Sequence, residues 1–421
     1  RSEIGLDKAP RGGKQSHNFS PRAGIAWDVF GNGRTAVRTS FGVFYEPLTA
    51  EMGGGVLAPQ PFGLVVNRDV TQLSSPYRGT TNPFPFTVDP SNARFVVPVS
   101  IPKSYSPDVR IPYSMNYHFG IQQQLGGHYM VEIAYVGNVA HKLPQLRELN
   151  VARLIPGATT GNTNARRIYA PNYTSIGQLY TDSNSVYNSL QVQLQKRFSS
   201  GFTLSSSYTW AKAIDEWSYN AFAQLSQQDY QNPLDRRAER ARSESDFTHR
   251  WATSFLYELP LLRRSQWYAR LLGGWELGAI IIASTGTPFT VFSGRDNSLS
   301  GVNRDRPDVA GDWRLPDGRS RNERIAAYFN TAAFRENGPL TFGNAGRNIL
   351  PSPGAIGIDT SLSKSFRLAE AHRLQLRFDA FNLPNRPNFS NPNATLTSPA
   401  FGRIQGAGSG RILQVSAKYV F

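Results

Sequence analysis

A chain of 421 residues without a single cysteine excludes disulfide scaffolds, thiolate metal sites and cysteine nucleophiles at once. Its net charge of +15 points to an anionic partner or to basic residues spread over loops. Doublets such as Arg236-Arg237 and Arg263-Arg264 do not make the aromatic-interleaved basic patch that nucleic-acid binding requires, so no nucleic-acid partner is expected. The longest apolar run, 279–283, falls far short of the roughly 18 residues of a spanning helix.

In chain order, residues 21–29 alternate with Ala23, Ile25, Trp27 and Val29 on one face. A tight glycine-rich turn at 30–33 follows, and 35–45 returns with Val37, Phe41, Val43 and Tyr45 on the apolar face. Beyond a Pro/Gly-rich stretch at 46–112, Tyr113, Met115, Tyr117, Phe119 and Ile121 alternate with polar residues. The chain turns at 125–127 and comes back through Tyr129, Val131, Ile133 and Tyr135, with a long loop expected to about 185. In the third pair, Leu190, Val192, Leu194 and Phe198 alternate with Gln191, Gln193, Gln195 and Arg197, then Phe202, Leu204, Tyr208 and Trp210 return. Lys196 is the polar intruder on that apolar face, placed near an interface where a lysine can snorkel.

After a charged stretch at 211–248, Trp251, Thr253, Phe255 and Tyr257 form one strand face, and Trp275, Leu277, Ala279, Ile281 and Ala283 the next. A long Asp/Arg/Asn/Gly stretch, 285–354, precedes a strand pair with Ile356, Ile358, Leu362 and Phe366 against Leu374, Leu376, Phe378 and Ala380. The final strand alternates Leu413, Val415, Ala417, Tyr419 and Phe421 with Gln414, Ser416 and Lys418.

Side chains alternate faces along a strand, and an apolar face recurring strand after strand with polar partners between is the pattern of a transmembrane β-barrel, lipid outside and water inside. The fold class is therefore all-β: an antiparallel barrel with short periplasmic turns and long external loops. About eleven strands are expected. Parity makes the first strand run toward the periplasm. An odd count, set against the even strand numbers of single-chain bacterial barrels, predicts the C-terminal portion of a larger barrel of about 22 strands. A start at Arg1 without Met or an export leader agrees with a natural N-terminus upstream.

Ordered short motifs then carry a family resemblance. They are 18–27 (NFSPRAGIAW), 41–45 (FGVFY), 245–250 (SDFTHR), Gly274-Trp275, 284–289 (STGTPF), 342–348 (FGNAGRN), 378–385 (FDAFNLPN) and the terminal strand. Together they resemble the Oar-like TonB-dependent outer-membrane receptors, whose N-terminal carboxypeptidase-regulatory-like domain and plug match nothing in this stretch. The resemblance implies a 22-stranded barrel energised through TonB by way of that plug. It also implies a barrel-assembly signal at Val415, Ala417, Tyr419 and Phe421, read by the barrel-assembly machinery.

The residues expected to line the interior are Arg38, His118, Gln191, Gln193, Gln195, Arg197 and Arg377, solvating a wet lumen or holding the plug. The histidines, His17, His118, His128, His141, His249 and His372, lack metal-ligand spacing. Asp296, Asp305, Asp308 and Asp312 share one loop, but their spacing is not that of a calcium hand and Arg304 and Arg306 intervene. Neither a Gly-x-Ser-x-Gly elbow nor a phosphate loop is present, and no enzyme or cofactor is expected.

The function expected is uptake of a large external solute, such as an oligosaccharide, peptide or metal chelate. The alternatives are a structural or adhesive surface barrel, and a soluble all-β enzyme or lectin that would pack the apolar faces in a dry interior. Outer-membrane lipid and lipopolysaccharide are the expected surroundings.

Overall fold

The computed structural model describes residues 18–46, 74–75, 77–79, 82, 98–218, 230–260, 273–369 and 372–421; His17 and the Arg263-Arg264 doublet lie outside them. The chain runs through β1 (Arg22–Asp28), β2 (Thr35–Tyr45), β3 (Val99–Tyr105), β4 (Tyr113–Leu125), β5 (Tyr129–Glu148), β6 (Tyr173–Ser199) and β7 (Phe202–Asp215). It continues with β8 (Ala241–Arg242), β9 (His249–Glu258), β10 (Trp275–Ser284), β11 (Pro288–Phe289), β12 (Asp308–Val309) and helix α1 (Arg321–Ala326). The remaining strands are β13 (Phe334–Arg335), β14 (Leu350–Pro351), β15 (Ala355–Arg367), β16 (Arg373–Phe381) and β17 (Ile412–Val420).

One antiparallel sheet dominates, in the order β1-β2-β4-β5-β6-β7-β9-β10-β15-β16-β17. Each of these strands hydrogen-bonds its sequence neighbour in the sheet, as a meander with alternating short and long connections demands. The eleven strands are those read from the alternation. Among the described residues β1 pairs only with β2 and β17 only with β16, so the sheet stays open at both edges.

Register carries each face across the sheet. Trp27 lies opposite Val37, Val37 opposite Ile121, Ile121 opposite Ile133, Ile133 opposite Val192, Val192 opposite Tyr208 and Tyr208 opposite Trp251. Toward the other edge, Leu277, Leu362, Phe378 and Val415 form a matching row. Trp27, Phe119 and Tyr419 are 57%, 50% and 52% exposed. The rival dry interior would have buried them; among the described residues Leu194 and Trp275 on the same face are partly buried, and these three stay open.

The turns explain the hairpins. In the first, Gly31 and Gly33 take positive φ, and the Asp28 carboxylate accepts the Gly33 N–H at 2.7 Å. On the outward face the Tyr117 ring lies so close over Gly137 that any Cβ there would meet it at 2.1 Å, which is why the apolar alternation of β5 is interrupted.

β5 and β6 depart from expectation. β5 was expected to end near Tyr135 and β6 to begin near 185, yet they run to Glu148 and from Tyr173. At roughly 3.3 Å per residue β6 is on the order of 90 Å long, several times the depth of an apolar bilayer band of about 25 Å. Their outer halves leave the membrane, and β6 there gains the parallel strand β3. Both faces meet water or protein at that height, so the apolar/polar alternation that marks a membrane strand disappears.

The stretch 285–354 is also more than a loop. It packs with 394–401 around Phe289, Val291, Phe329, Ala333, Phe334 and Leu350. The Phe329 ring meets Phe334 and Phe401 edge-on, at centroid distances of 5.6 and 5.2 Å. Small sheets β11-β14 and β12-β13 frame this external cap. α1 is held by a capping box: Glu323 N–H donates to Ser320 Oγ at 3.3 Å, and Ser320 N–H to Glu323 Oε2 at 2.7 Å. Ser320→Ala is expected to loosen α1 by about 1 kcal/mol, read as faster amide exchange over 321–327 with the sheet unchanged.

Candidate functional site

Two surfaces and the external cap carry whatever this chain does. On the outward face, tyrosines pair with histidines at both ends of the strands. Toward the external end, Tyr208 Oη lies 2.7 Å from His249 Nδ1; toward the periplasmic end, Tyr419 Oη lies 2.6 Å from His372 Nδ1. Aromatic residues with a polar tip suit the two borders between lipid and water.

Two lysines on this face are held by backbone carbonyls. Lys196 Nζ donates to the Ser199 and Phe202 carbonyls at 2.9 and 2.8 Å and to Ser199 Oγ, so it is buried as a staple of its own turn rather than snorkelling. Lys364, opposite Leu376, does the same with the Gly273 carbonyl. Its strand pattern had not singled it out.

The opposite face holds Arg38, His118, Gln191, Gln193, Gln195, Arg197 and Arg377. Arg38, Gly120, Ala134, Gln191 and Thr209 form one row across five strands. His118 Nε2 lies 3.9 Å from a Glu132 carboxylate oxygen, Gln191 Nε2 donates to Ser189 Oγ at 3.2 Å, and Arg377 Nε donates to Asp379 at 2.8 Å. This face is not uniformly polar. Leu256, Ile280, Ile282, Phe381 and Ile412 are exposed on it; Leu256, Ile280 and Phe381 line a concavity of about 420 Å³ together with Asp359, Arg377 and Asp379. Strand β10 is apolar on both sides, so its pattern alone could not assign a face.

In the cap, an ionic seam ties the end of a membrane strand to the external loops. Arg306 forks onto Glu239, Nη2 to Oε1 at 2.8 Å and Nη1 to Oε2 at 3.1 Å, both side chains fully buried. Arg347 donates from Nε to the Glu239 carbonyl and from Nη2 to the Asp215 carbonyl, each at 2.9 Å, and also binds the Asp215 carboxylate. Burial holds the Glu239 carboxyl above its ordinary range, outweighing the downward pull of Arg306 and Arg347. Gly343 backs this seam: a Cβ there would meet the Arg306 carbonyl at 1.9 Å.

The four loop aspartates part company. Asp296 and Asp305 meet around Ser298, whose Oγ lies within hydrogen-bond reach of both carboxylates, at 3.1 and 2.8 Å. Asp308 accepts the Asn344 N–H at 3.0 Å and Asp312 pairs with Arg314. Among the described residues no group of three His, Cys, Asp or Glu side chains converges.

A meandering antiparallel sheet, apolar and exposed on one side, more polar on the other and capped at one end, defines an outer-membrane β-barrel protein. The family model described as outer membrane beta barrel domain matches residues 5–414, and the chain belongs to that family. This places it in the outer membrane of a Gram-negative-type envelope. Comparison with curated proteins returns no match.

Among solved structures, the outer membrane transporter YddB from Escherichia coli is similar at a TM-score of 0.52 and 11% identity, covering 96% of this chain and 41% of that one. BauA, the ferric preacinetobactin receptor from Acinetobacter baumannii, reaches 0.43 at 9% identity, with 96% and 36% covered. The ferripyoverdine receptor of the outer membrane of Pseudomonas aeruginosa reaches 0.42 at 10% identity, with 96% and 33% covered. The chain thus spans well under half the length of these proteins.

Proposed function

We propose that these residues are the C-terminal portion of a barrel of about 22 strands, belonging to an Oar-like TonB-dependent receptor that takes up a large external solute. The open sheet carries this reading: among the described residues β1 and β17 each keep a free edge, although an unpaired strand inside lipid leaves its backbone groups unsatisfied. Partner strands on both edges would close it. The apolar patch of Leu256, Ile280, Ile282, Phe381 and Ile412 supports the same reading, since an inserted plug would cover it. Similarity of this chain to part of the outer membrane transporter YddB agrees with it.

Expressed alone and refolded in detergent, the 421 residues are expected to give no heat-modifiable monomer, whereas the intact protein gives one. A compact, heat-modifiable monomer from this chain alone overturns the half-barrel reading. Solute uptake by cells carrying the intact protein should vanish when TonB is removed. Binding that persists without any uptake in either strain would favour the adhesive surface barrel, for which the packed external cap offers a ready binding surface.

The terminal residues Val415, Ala417, Tyr419 and Phe421 share the outward face and are all exposed, as a signal read by the assembly machinery needs to be. Removing Phe421 is expected to lower the outer-membrane level of the protein severalfold, measured by fractionation, while Lys418→Gln on the opposite face leaves it unchanged.

A further inference from the structure

On the outward face, where β7 approaches its external end beside the middle of β6, a groove of about 550 Å³ opens beside Tyr135, Leu190 and Trp210. Its upper rim holds Lys212 and Arg242. Register fixes the orientation: Leu190 lies opposite Tyr135 and Trp210, Lys212 opposite Asn188, and Arg242 opposite Ile214. All of them therefore belong to the lipid-facing side, in two tiers, apolar below and basic above.

The height of the tiers follows from strand geometry. From Phe202 at the periplasmic turn to Lys212 is ten residues, and a strand tilted about 45° climbs roughly 23 Å over that length. An apolar band of about 25 Å ends there, at the outer headgroups. The aromatic tips agree, because Tyr117 and Tyr135 hydroxyls both donate to Asn188 Oδ1 at 2.7 Å.

The basic tier is partly preset. Arg242 is anchored by Nε to Asp246 Oδ2 at 2.6 Å and by Nη2 to Thr248 Oγ1 at 2.8 Å. The other Asp246 oxygen accepts the Ala213 N–H at 2.8 Å, which leaves that carboxylate little capacity for a second cation. Lys212 is exposed and makes no ion pair among the described residues. A lysine above an aromatic wall at this depth, beside a fixed arginine, presents positive charge where lipid phosphates lie.

We propose that this groove seats a phosphorylated glycolipid of the outer leaflet, of the lipopolysaccharide class, with its phosphate on Lys212 and Arg242 and an acyl chain along Tyr135, Leu190 and Trp210. The site needs only the outer-membrane setting of the family and is independent of solute uptake.

The test uses native mass spectrometry of the intact protein in detergent, titrated with bis-phosphorylated lipid A, its dephosphorylated form and phosphatidylethanolamine. Lipid A is expected to bind tightest. Lys212→Gln should raise its apparent Kd about fivefold, the effect of one surface basic charge, and Lys212→Glu should raise it further. Arg324→Gln, an equal charge change on the external cap, should leave it unchanged. Equal binding of the dephosphorylated lipid overturns the proposal, as does an unchanged Kd in Lys212→Gln. Equal weakening by Arg324→Gln would also overturn it, by tracing the effect to bulk charge.

Discussion

Ile133→Arg is expected to cost about 2–4 kcal/mol of folding free energy in lipid vesicles, the penalty for a cation at the bilayer midplane. Ile133 is half exposed on the outward face of β5, between Ile121 and Val192 in register. It stands a few residues above the periplasmic turn and a few below the Tyr135–Asn188 girdle, so it faces the middle of the apolar band. Gln193→Arg, one residue out of phase on the neighbouring strand, should stay within about 0.5 kcal/mol, as surface substitutions usually do. Tyr129→Arg, at the periplasmic end of β5, should cost about 0–1 kcal/mol because the penalty fades toward the interface. Urea titrations of the three variants read these values. A depth-independent cost, or one equal on both faces, would be incompatible with lipid on the side of Ile133.

That contrast rests on a pattern plain in the sequence, because a membrane strand has only two environments and a period of two records them directly. Eleven strands, their order and, β10 apart, their outward faces were readable for this reason. The outer halves of β5 and β6 were not, since above the membrane a residue such as Gln145 or Ser183 is buried by neighbouring chain rather than by lipid. The cap was hidden for a different reason. Its core joins Phe289, Phe329, Phe334 and Phe401 across more than a hundred residues, and no local period records such a gathering. The short motifs were visible, but their work was not. Asp246 anchors Arg242 and receives the Ala213 N–H, Arg347 clamps Asp215, and Gly343 clears space for the Arg306 carbonyl. Two of the motifs that resemble a receptor family, 245–250 and 342–348, are in this chain fittings that hold external loops to strand ends.

Arg347→Ala tests that statement with the other large effect. Arg347 is buried and holds three things at once: the end of β7 through Asp215, the 230–248 loop through the Glu239 carbonyl, and Ser218 Oγ at 3.2 Å. Its removal leaves the Asp215 carboxylate buried without a cation, a situation that costs about 3–5 kcal/mol. The loss should fall on the cap and not on the sheet, whose hydrogen bonds and lipid contacts do not involve this side chain. Limited proteolysis and amide exchange should therefore show 285–354 opening, while the heat-modifiability of the intact barrel persists. The neighbouring pair supplies the contrast. Exchanging Arg306 and Glu239 together for Met and Leu removes both buried charges along with their desolvation cost, and such replacements are often neutral or stabilising. If Arg347→Ala leaves the cap as protected as before, the seam is decoration and the cap is held by its aromatic core alone; if the double exchange also opens the cap, the ionic geometry is what fixes the loops on the barrel mouth.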